Sequence, residues 1–371
     1  MFANCGMIAA AIEKMAPREW AESWDNVGLL IGSPAQEIEK ALLSLDVTSA
    51  VVDEAWRMNA GLIISHHPFP FHSLKSIRLD TPDGELLTKL LQRNISVYAA
   101  HTNLDVAPGG VNDILAEQLS LRDVETLRRR REALVKVATY VPQQYEEAVW
   151  QAMTEAGAGC IGKYSKSGFR VTGVGTFLPG ADTSPFIGRQ NQFTRVEETR
   201  IESVAPASLA QKIIAAIVAV HPYEEVAYDV YPLNNEWTIG GLGRVGNLES
   251  PMRLADFAHN VRTALQADGL RVVGDPNSFV QRVAVCGGAG MEVTKDAVQQ
   301  GVQVLVTGDI RYHDAQEAQS IGLNLVDAGH FATEQPVLVR LQRYLQDYSD
   351  KNHWSCLFEI SQSQVDIWHW F

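Results

Sequence analysis

Short apolar runs alternate with amphipathic stretches along most of the chain, and several of the runs stop at residues capable of chemistry. Leu62-Ile63-Ile64-Ser65 reads as a buried strand ending at His66-His67-Pro68. Pro68 cannot donate to a ladder and holds His67 extended, so pairing stops there. Within a strand, neighbouring histidines would face opposite sides; at a strand end both rings can turn into one cleft. A second strand runs from Ala41 to Asp46, and a third, Val97-Tyr98-Ala99-Ala100, opens into His101-Thr102-Asn103-Leu104-Asp105. Helical spacing separates them: Ala50, Val51, Ala55 and Met58, then Leu86, Leu87, Leu90 and Leu91, then Ile114, Leu115 and Leu119. This is the β-α-β rhythm of a mostly parallel sheet. Ahead of it, Met1 to Trp24 reads as an amphipathic helix, and Trp24-Asp25-Asn26-Val27-Gly28 as a turn opening into a strand.

From Ala133 the texture changes. Residues 134–141 alternate as a strand, 145–156 read as a helix, and a turn-rich section with strand-like pieces spans 157–180. A strand (195–204), a helix (209–219) and a strand (226–233) follow. The order suggests a small ferredoxin-like module inserted in a larger fold. We place the boundaries at 1–131, 132–236 and 237–371. His221-Pro222-Tyr223-Glu224-Glu225 reads as a turn within the insert. Gly241, Gly243 and Gly246 match the dinucleotide fingerprint by spacing alone, after an interruption at Asn234, Asn235 and Glu236.

The last section repeats the first rhythm. A helix through Leu254, Phe257, Val261 and Leu265 precedes the strand Val283-Ala284-Val285-Cys286. Gly287-Gly288-Ala289-Gly290 then makes a turn whose amides could cradle an anion, or which packing alone requires. A strand through Val304 and Val306 ends at Asp309, with His313 just beyond, and Leu325-Val326-Asp327 leads into Gly329-His330. Thr333 is the expected cap of a helix carrying Glu334 and Pro336 in its first turn. Val365 to Phe371 alternates as a final strand.

Composition narrows the function. A formal net charge of −13 argues against nucleic-acid binding through a broad electrostatic footprint and against an anionic membrane. Arg128-Arg129-Arg130-Arg131 reads as a solvated linker, with a phosphate contact as the alternative. The four cysteines, Cys5, Cys160, Cys286 and Cys356, are far apart and form neither a C-x-x-C pair nor a disulfide framework. No basic start with a long apolar core is present, and no run approaches about 18 consecutive apolar residues. A cytoplasmic protein is expected.

Three strand ends carrying His, Asp and Glu suit an active site at the carboxyl edge of an α/β sheet, and we read them as a metal centre. Imidazole and carboxylate ligands suit zinc, manganese, iron, cobalt or nickel, and no thiolate selects among them. His101 and His313 are candidates for proton transfer or substrate contact, or for orienting a ligand. Asp309 and Asp327 are expected to hold ligands in place.

The combination of Ser65-His66-His67-Pro68, His101-Thr102-Asn103-Leu104-Asp105, Thr307-Gly308-Asp309 with His313, and Asp327-Ala328-Gly329-His330 with Glu334 resembles the Nif-three-like family, whose members are often called GTP cyclohydrolase I type 2 homologues. The resemblance spans essentially the whole chain. It implies two α/β lobes with mixed sheets around a dinuclear metal cleft, and an inserted ferredoxin-like domain of the PII or CutA type. It further implies two divalent ions per chain, bound by His66, His67, Asp105, His330 and Glu334. His66 and His330 would share one ion, His67 and Asp105 the other, and Glu334 would bridge. A toroidal homohexamer is also implied.

The leading expectation is a metal-dependent hydrolase, with a small molecule or nucleotide as substrate and opening of a purine ring as the reaction the family label suggests. Glu334, His101 and His313 are its candidate catalytic residues. Lys295, Arg311 and the Gly287 to Gly290 turn are the candidate phosphate contacts. The alternative is a non-catalytic metal-binding or regulatory protein, a metal chaperone or small-molecule sensor.

Overall fold

A computed structural model describes residues 2–72, 75–162 and 164–370, without the side chains at 236 and 239. The chain divides into two units: Met1–Arg130 with Ile239–Phe371, and Arg131–Thr238.

Beside a two-stranded pairing of Ala3–Asn4 with Glu37–Ile38, the larger unit contains two main sheets whose parallel strands explain the unbroken apolar runs. The first has the order Leu357–Ile360, Lys40–Ser44, Leu62–Ser65, Ser96–Ala99, Gly28–Ile31. Its first four strands are parallel and Gly28–Ile31 is antiparallel. Leu43, Leu62, Ile64 and Tyr98 pack on one face against Ile8, Ile12, Leu341 and Leu345. Leu42, Ile63 and Val97 pack on the other against Val51, Val52, Ala55, Leu87 and Leu90. With both faces covered, every residue of such a strand is buried, so alternation disappears.

The second sheet places Arg271–Val273, Asn324–Asp327, Val304–Thr307 and Phe279–Val285 side by side, followed by residues 244–253 of a long strand. The strands Phe279–Val285, Val304–Thr307 and Asn324–Asp327 are parallel. Val283, Val285, Val304, Val306 and Val326 face Phe257 and Val261, while Ala284, Leu305 and Leu325 face Ala297 and Ala318.

Several expectations are corrected. The first helix runs only over Cys5–Met15, capped by Asn4, whose side chain accepts from the Met7 amide. It stops because Pro17 forces Ala16 out of the helical region, and a 3-10 turn, Arg18–Trp20, follows. Met1 lies outside the described residues. The last strand is Leu357–Ile360. Residues 365–370 form none: Asp366 bonds the Trp368 amide locally, and Trp370 packs over Gly269. Phe371 lies outside the described residues. The arginine run belongs to the strand Arg122–Pro142 instead of a linker. Tyr228–Arg253 is one strand, uninterrupted at residues 234–236.

The smaller unit has the order strand, helix Glu146–Glu155, strands Gly168–Phe177 and Thr194–Pro206, helix Ala210–Val220, strand. Val135, Val137, Val141, Ile201 and Ala205 meet Val149, Met153, Ile213 and Ile217 on one face of its sheet. Between the last helix and strand, His221 bonds the Tyr140 carbonyl through Nε2 at 3.0 Å and accepts the Tyr223 amide on Nδ1 at 3.1 Å. That fixes a neutral ring as part of a turn.

Candidate metal centre

In both sheets of the larger unit, the parallel strands point their carboxyl ends at one place. Leu62–Ser65 delivers His66 and His67, Ser96–Ala99 delivers His101, and Asn324–Asp327 delivers His330 through Gly329. Glu334 is the last residue of the short helix His330–Glu334, one turn after His330.

Each of the four imidazoles has its Nδ1 committed. His66 Nδ1 lies 2.8 Å from the Ala100 carbonyl, His67 Nδ1 2.8 Å from Asp46, His101 Nδ1 2.9 Å from Asp25, and His330 Nδ1 2.7 Å from Asp309. Carbonyl and carboxylate oxygens only accept, so Nδ1 carries a proton in every ring, and Nε2 is the nitrogen left with a lone pair whenever the ring is neutral. The Nε2 atoms of His66, His67 and His330 converge. His67 Nε2 is 3.2 Å from His330 Nε2, and Glu334 Oε2 is 3.0 Å from the former and 3.1 Å from the latter. His66 Nε2 is 3.6 Å from Asp105 Oδ1 and 3.7 Å from Glu334 Oε1. Ligand atoms of His66, His67 and His101 lie within 4.8 Å of one another, as do those of His67, His330 and Glu334.

The energetics of this cluster call for positive charge. His66 and Glu334 are buried, and His66 Nε2, Asp105 Oδ1 and Glu334 Oε2 have no hydrogen-bond partner among the described residues. Burial by itself would drive the His67 imidazole down, but Asp46 and Glu334 outweigh it and hold it at about 10. The same contest raises His330 to about 9, through Glu334 and Asp309. Burial would raise the Glu334 carboxyl, and the neighbouring imidazoles, His66 first, instead hold it well below its ordinary value. Burial pushes the Asp105 carboxyl up. Protons alone fill such a site poorly, because two Nε2–H groups of His67 and His330 would point at each other. Divalent cations answer every orphaned atom, and the donor set of imidazole and carboxylate fits them.

The distances group the candidate ligand atoms differently from the pairing the resemblance implied. Asp105 lies with His66, and His330 with His67; Glu334 reaches both through its two oxygens. His66 is the inner ring, turned toward Ala100 and the short helix Thr102–Val106 that carries Asp105, while His67 faces outward to the strand end of the other sheet.

Other expected residues fall into place or away from it. His101 packs against the cluster, its ring centroid 5.2 Å from that of His66 and 5.5 Å from that of His67. His313 is exposed on the helix Tyr312–Ser320, bonded to Gln316 at 3.2 Å, and the structure does not bring it to the cluster. Asp309 holds His330, whereas Asp327 bonds Arg271 and the Ile310 amide. Thr333 caps no helix: it accepts the Gly288 amide at 3.0 Å and donates to the carbonyls of Gly329 and His330. In the glycine turn the amides of Gly287, Gly288 and Gly290 are already committed to Asn112, Thr333 and Thr307. Its function is close approach. A Cβ on Gly288 would lie 2.3 Å from Glu334 Oε1.

The cluster forms one wall of a cavity of about 810 Å³. Arg128, Arg129 and Arg130 form another, with Trp24 and Phe71 beside His101. Lys295 and Arg311 do not line it. Arg128 is tied to Glu292 and Asp296, and Arg130 to the Trp20 carbonyl, while exposed Arg129 has Glu125 at 3.7 Å. Sequence reasoning missed Asp25 and Asp46. The Asp25 side chain is fully buried, and hydrogen bonds from His101 and Thr102 overcome that burial to lower it to about 2.

The sequence matches the family described as Duf34/NIF3 (NGG1p interacting factor 3) over residues 3–366. A "GTP cyclohydrolase 1 type 2 homolog" of Bacillus subtilis is 46% identical over 330 residues, covering 89% of this chain and 88% of its own. The protein of the same name from Mycobacterium tuberculosis is 40% identical over 330 residues, covering 88% and 86%. The crystal structure of a Bacillus cereus protein related to NIF3 superposes with a TM-score of 0.85 at 42% identity, over 100% of both chains. Among the described residues, no helix is long and apolar enough to cross a membrane. The chain belongs to the Duf34/NIF3 family.

Proposed function

We propose that this protein is a dinuclear metal-dependent hydrolase acting on a small anionic molecule. The observation that carries the reading is the convergence of three Nε2 atoms, those of His66, His67 and His330, each on a ring anchored through Nδ1, on the buried Glu334 carboxylate and the buried Oδ1 of Asp105. His66, Asp105 and Glu334 would hold one ion, and His67, His330 and Glu334 the other. Two such ions supply Lewis acidity, lowering the pKa of water and polarising the group under attack.

The remaining work belongs to the chain. Asp46, Asp309 and the Ala100 carbonyl keep the ligand rings in one tautomer and orientation. His101 lines the cavity with Asp25 bonded to Nδ1, an arrangement that would let the ring take a proton at Nε2 while the carboxylate stabilises the imidazolium. Arg129 offers a guanidinium to an anionic group, and Trp24 and Phe71 offer faces to a flat ring. A purine nucleotide meets these requirements, in keeping with the name carried by the relatives from Bacillus subtilis and Mycobacterium tuberculosis.

The test is turnover by metal-loaded protein over a panel of nucleoside triphosphates, nucleotides and phosphoesters. Metal-dependent turnover that Glu334→Ala abolishes, and for which Arg129→Ala raises KM, is expected. A fully loaded protein that turns over no member of the panel would favour the non-catalytic, metal-binding reading.

A further inference from the structure

The smaller unit has a cavity of its own, about 430 Å³, on the sheet face opposite its helices. Its lining combines the rings of Tyr140, Phe177, Phe186 and Tyr223 with the carboxylates of Glu198, Glu224 and Glu225. Among the described residues that line it there is no lysine, arginine or histidine. The rings are mutually arranged: Phe177 and Phe186 have centroids 6.2 and 6.3 Å from that of Tyr223. One wall is tied down by the Ser184 amide, which donates to Glu224 at 2.8 Å.

Glu198 is the informative residue. It is only 8% exposed, yet it lines the cavity. The Tyr223 hydroxyl donates to Oε1 at 2.6 Å, which orients the carboxylate. Oε2 accepts no hydrogen bond among the described residues and lies over Gly175, another lining residue, where a Cβ would stand 1.9 Å from it. The guanidinium above Tyr140, that of Arg200, is paired with Glu202 at 3.0 Å instead. Glu198 thus holds out one free carboxylate oxygen with no lysine, arginine or histidine among the described lining residues to pair with it, a position that an incoming cation can fill. Aromatic faces around it favour a positive charge and repel a negative one.

We propose that this cavity binds a small organic cation, an ammonium group on an apolar body, with Glu198 Oε2 as its counter-ion and the four rings as its cage. The body would lie against Phe177 and Phe186, and Glu224 and Glu225 would add long-range attraction at the mouth. The site is separate from the metal centre in residues and in chemistry.

Calorimetric titration of the full chain with three probes of one shape tests this: 2-phenylethylammonium, 2-phenylethanol and 3-phenylpropionate. The ammonium should bind about tenfold or more tightly than the alcohol, and the carboxylate should give no heat. Glu198→Gln, whose amide oxygen can still accept from Tyr223, should erase the preference for the cation. Equal binding of alcohol and ammonium, or no binding of the ammonium up to about 10 mM, would overturn the proposal. So would an undiminished preference in Glu198→Gln. The comparison among probes on the wild type decides the matter even where that variant fails to fold.

Discussion

Replacing Gly288 by alanine adds one methyl group where the backbone comes closest to the ligands. The new Cβ would sit 2.3 Å from Glu334 Oε1 and 3.2 Å from His330 Nε2. An ordinary contact needs about 1 Å more to the oxygen. Glu334 cannot yield outward, because it is 4% exposed and wedged among His66, His67 and His330. The backbone adds a second cost: Gly288 has φ +61°, where an L-residue loses about 1–2 kcal/mol. The two costs separate experimentally, since Gly301 has φ +67° with nothing within 4 Å of its added Cβ. Gly301→Ala should lose about 1–2 kcal/mol in urea unfolding of the metal-stripped protein, and Gly288→Ala should lose more, by the cost of the clash. Only Gly288→Ala should lose metal affinity, about 10- to 100-fold in a competition titration against a chelator, the range seen when ligand positioning is disturbed. Wild-type metal affinity in Gly288→Ala would refute the assignment of Glu334 as the shared ligand.

Asp309→Ala frees the His330 ring, so metal affinity should again fall about 10- to 100-fold, measured by retention under chelator with the fold checked by circular dichroism. Glu54, 6% exposed, accepts from the Ser361 hydroxyl and the amides of Gln362 and Ser363, and these bonds outweigh burial to lower its pKa below 4.5. Its stabilisation is therefore full above the unfolded-state value and fades as pH falls through the lower folded one. Glu54→Ala should cost about 2–3 kcal/mol at pH 7, and the gap to wild type should narrow in urea melts run toward pH 3. Asp113→Ala should cost about 3 kcal/mol in the same assay, because it strands Arg244, 3% exposed and paired to Asp113 at 2.6 Å.

The elements that bury both faces of a parallel sheet were readable from their apolar runs, and so were the residues at the strand ends, His66, His67, His101 and His330. What the runs could not carry was lateral information. Asp46 ends the strand beside that of His67, a relation visible only once Leu43 is known to pair with Ile64. Asp25 precedes an antiparallel strand, so its start lies at the edge where the parallel strands finish; the pairing of Gly28 with Ala99 creates that proximity. His313 misled for the converse reason. It follows Asp309 closely in sequence, but extended Arg311 turns the chain into a helix whose exposed side carries it. The arginine run misled because a charged strand alternating between solvent and a cleft has the composition of a linker. The grouping of Asp105 with His66 depended on which ring faces inward, a question of a few dihedral angles at a strand end.

Elemental analysis of the purified protein, beside a variant carrying His66→Ala and Glu334→Ala, shows whether the strand-end cluster holds metal. Close to two divalent transition-metal ions per wild-type chain are expected, lost in the variant. A wild-type protein that holds no metal after anaerobic purification and reloading would contradict the assignment of a metal centre.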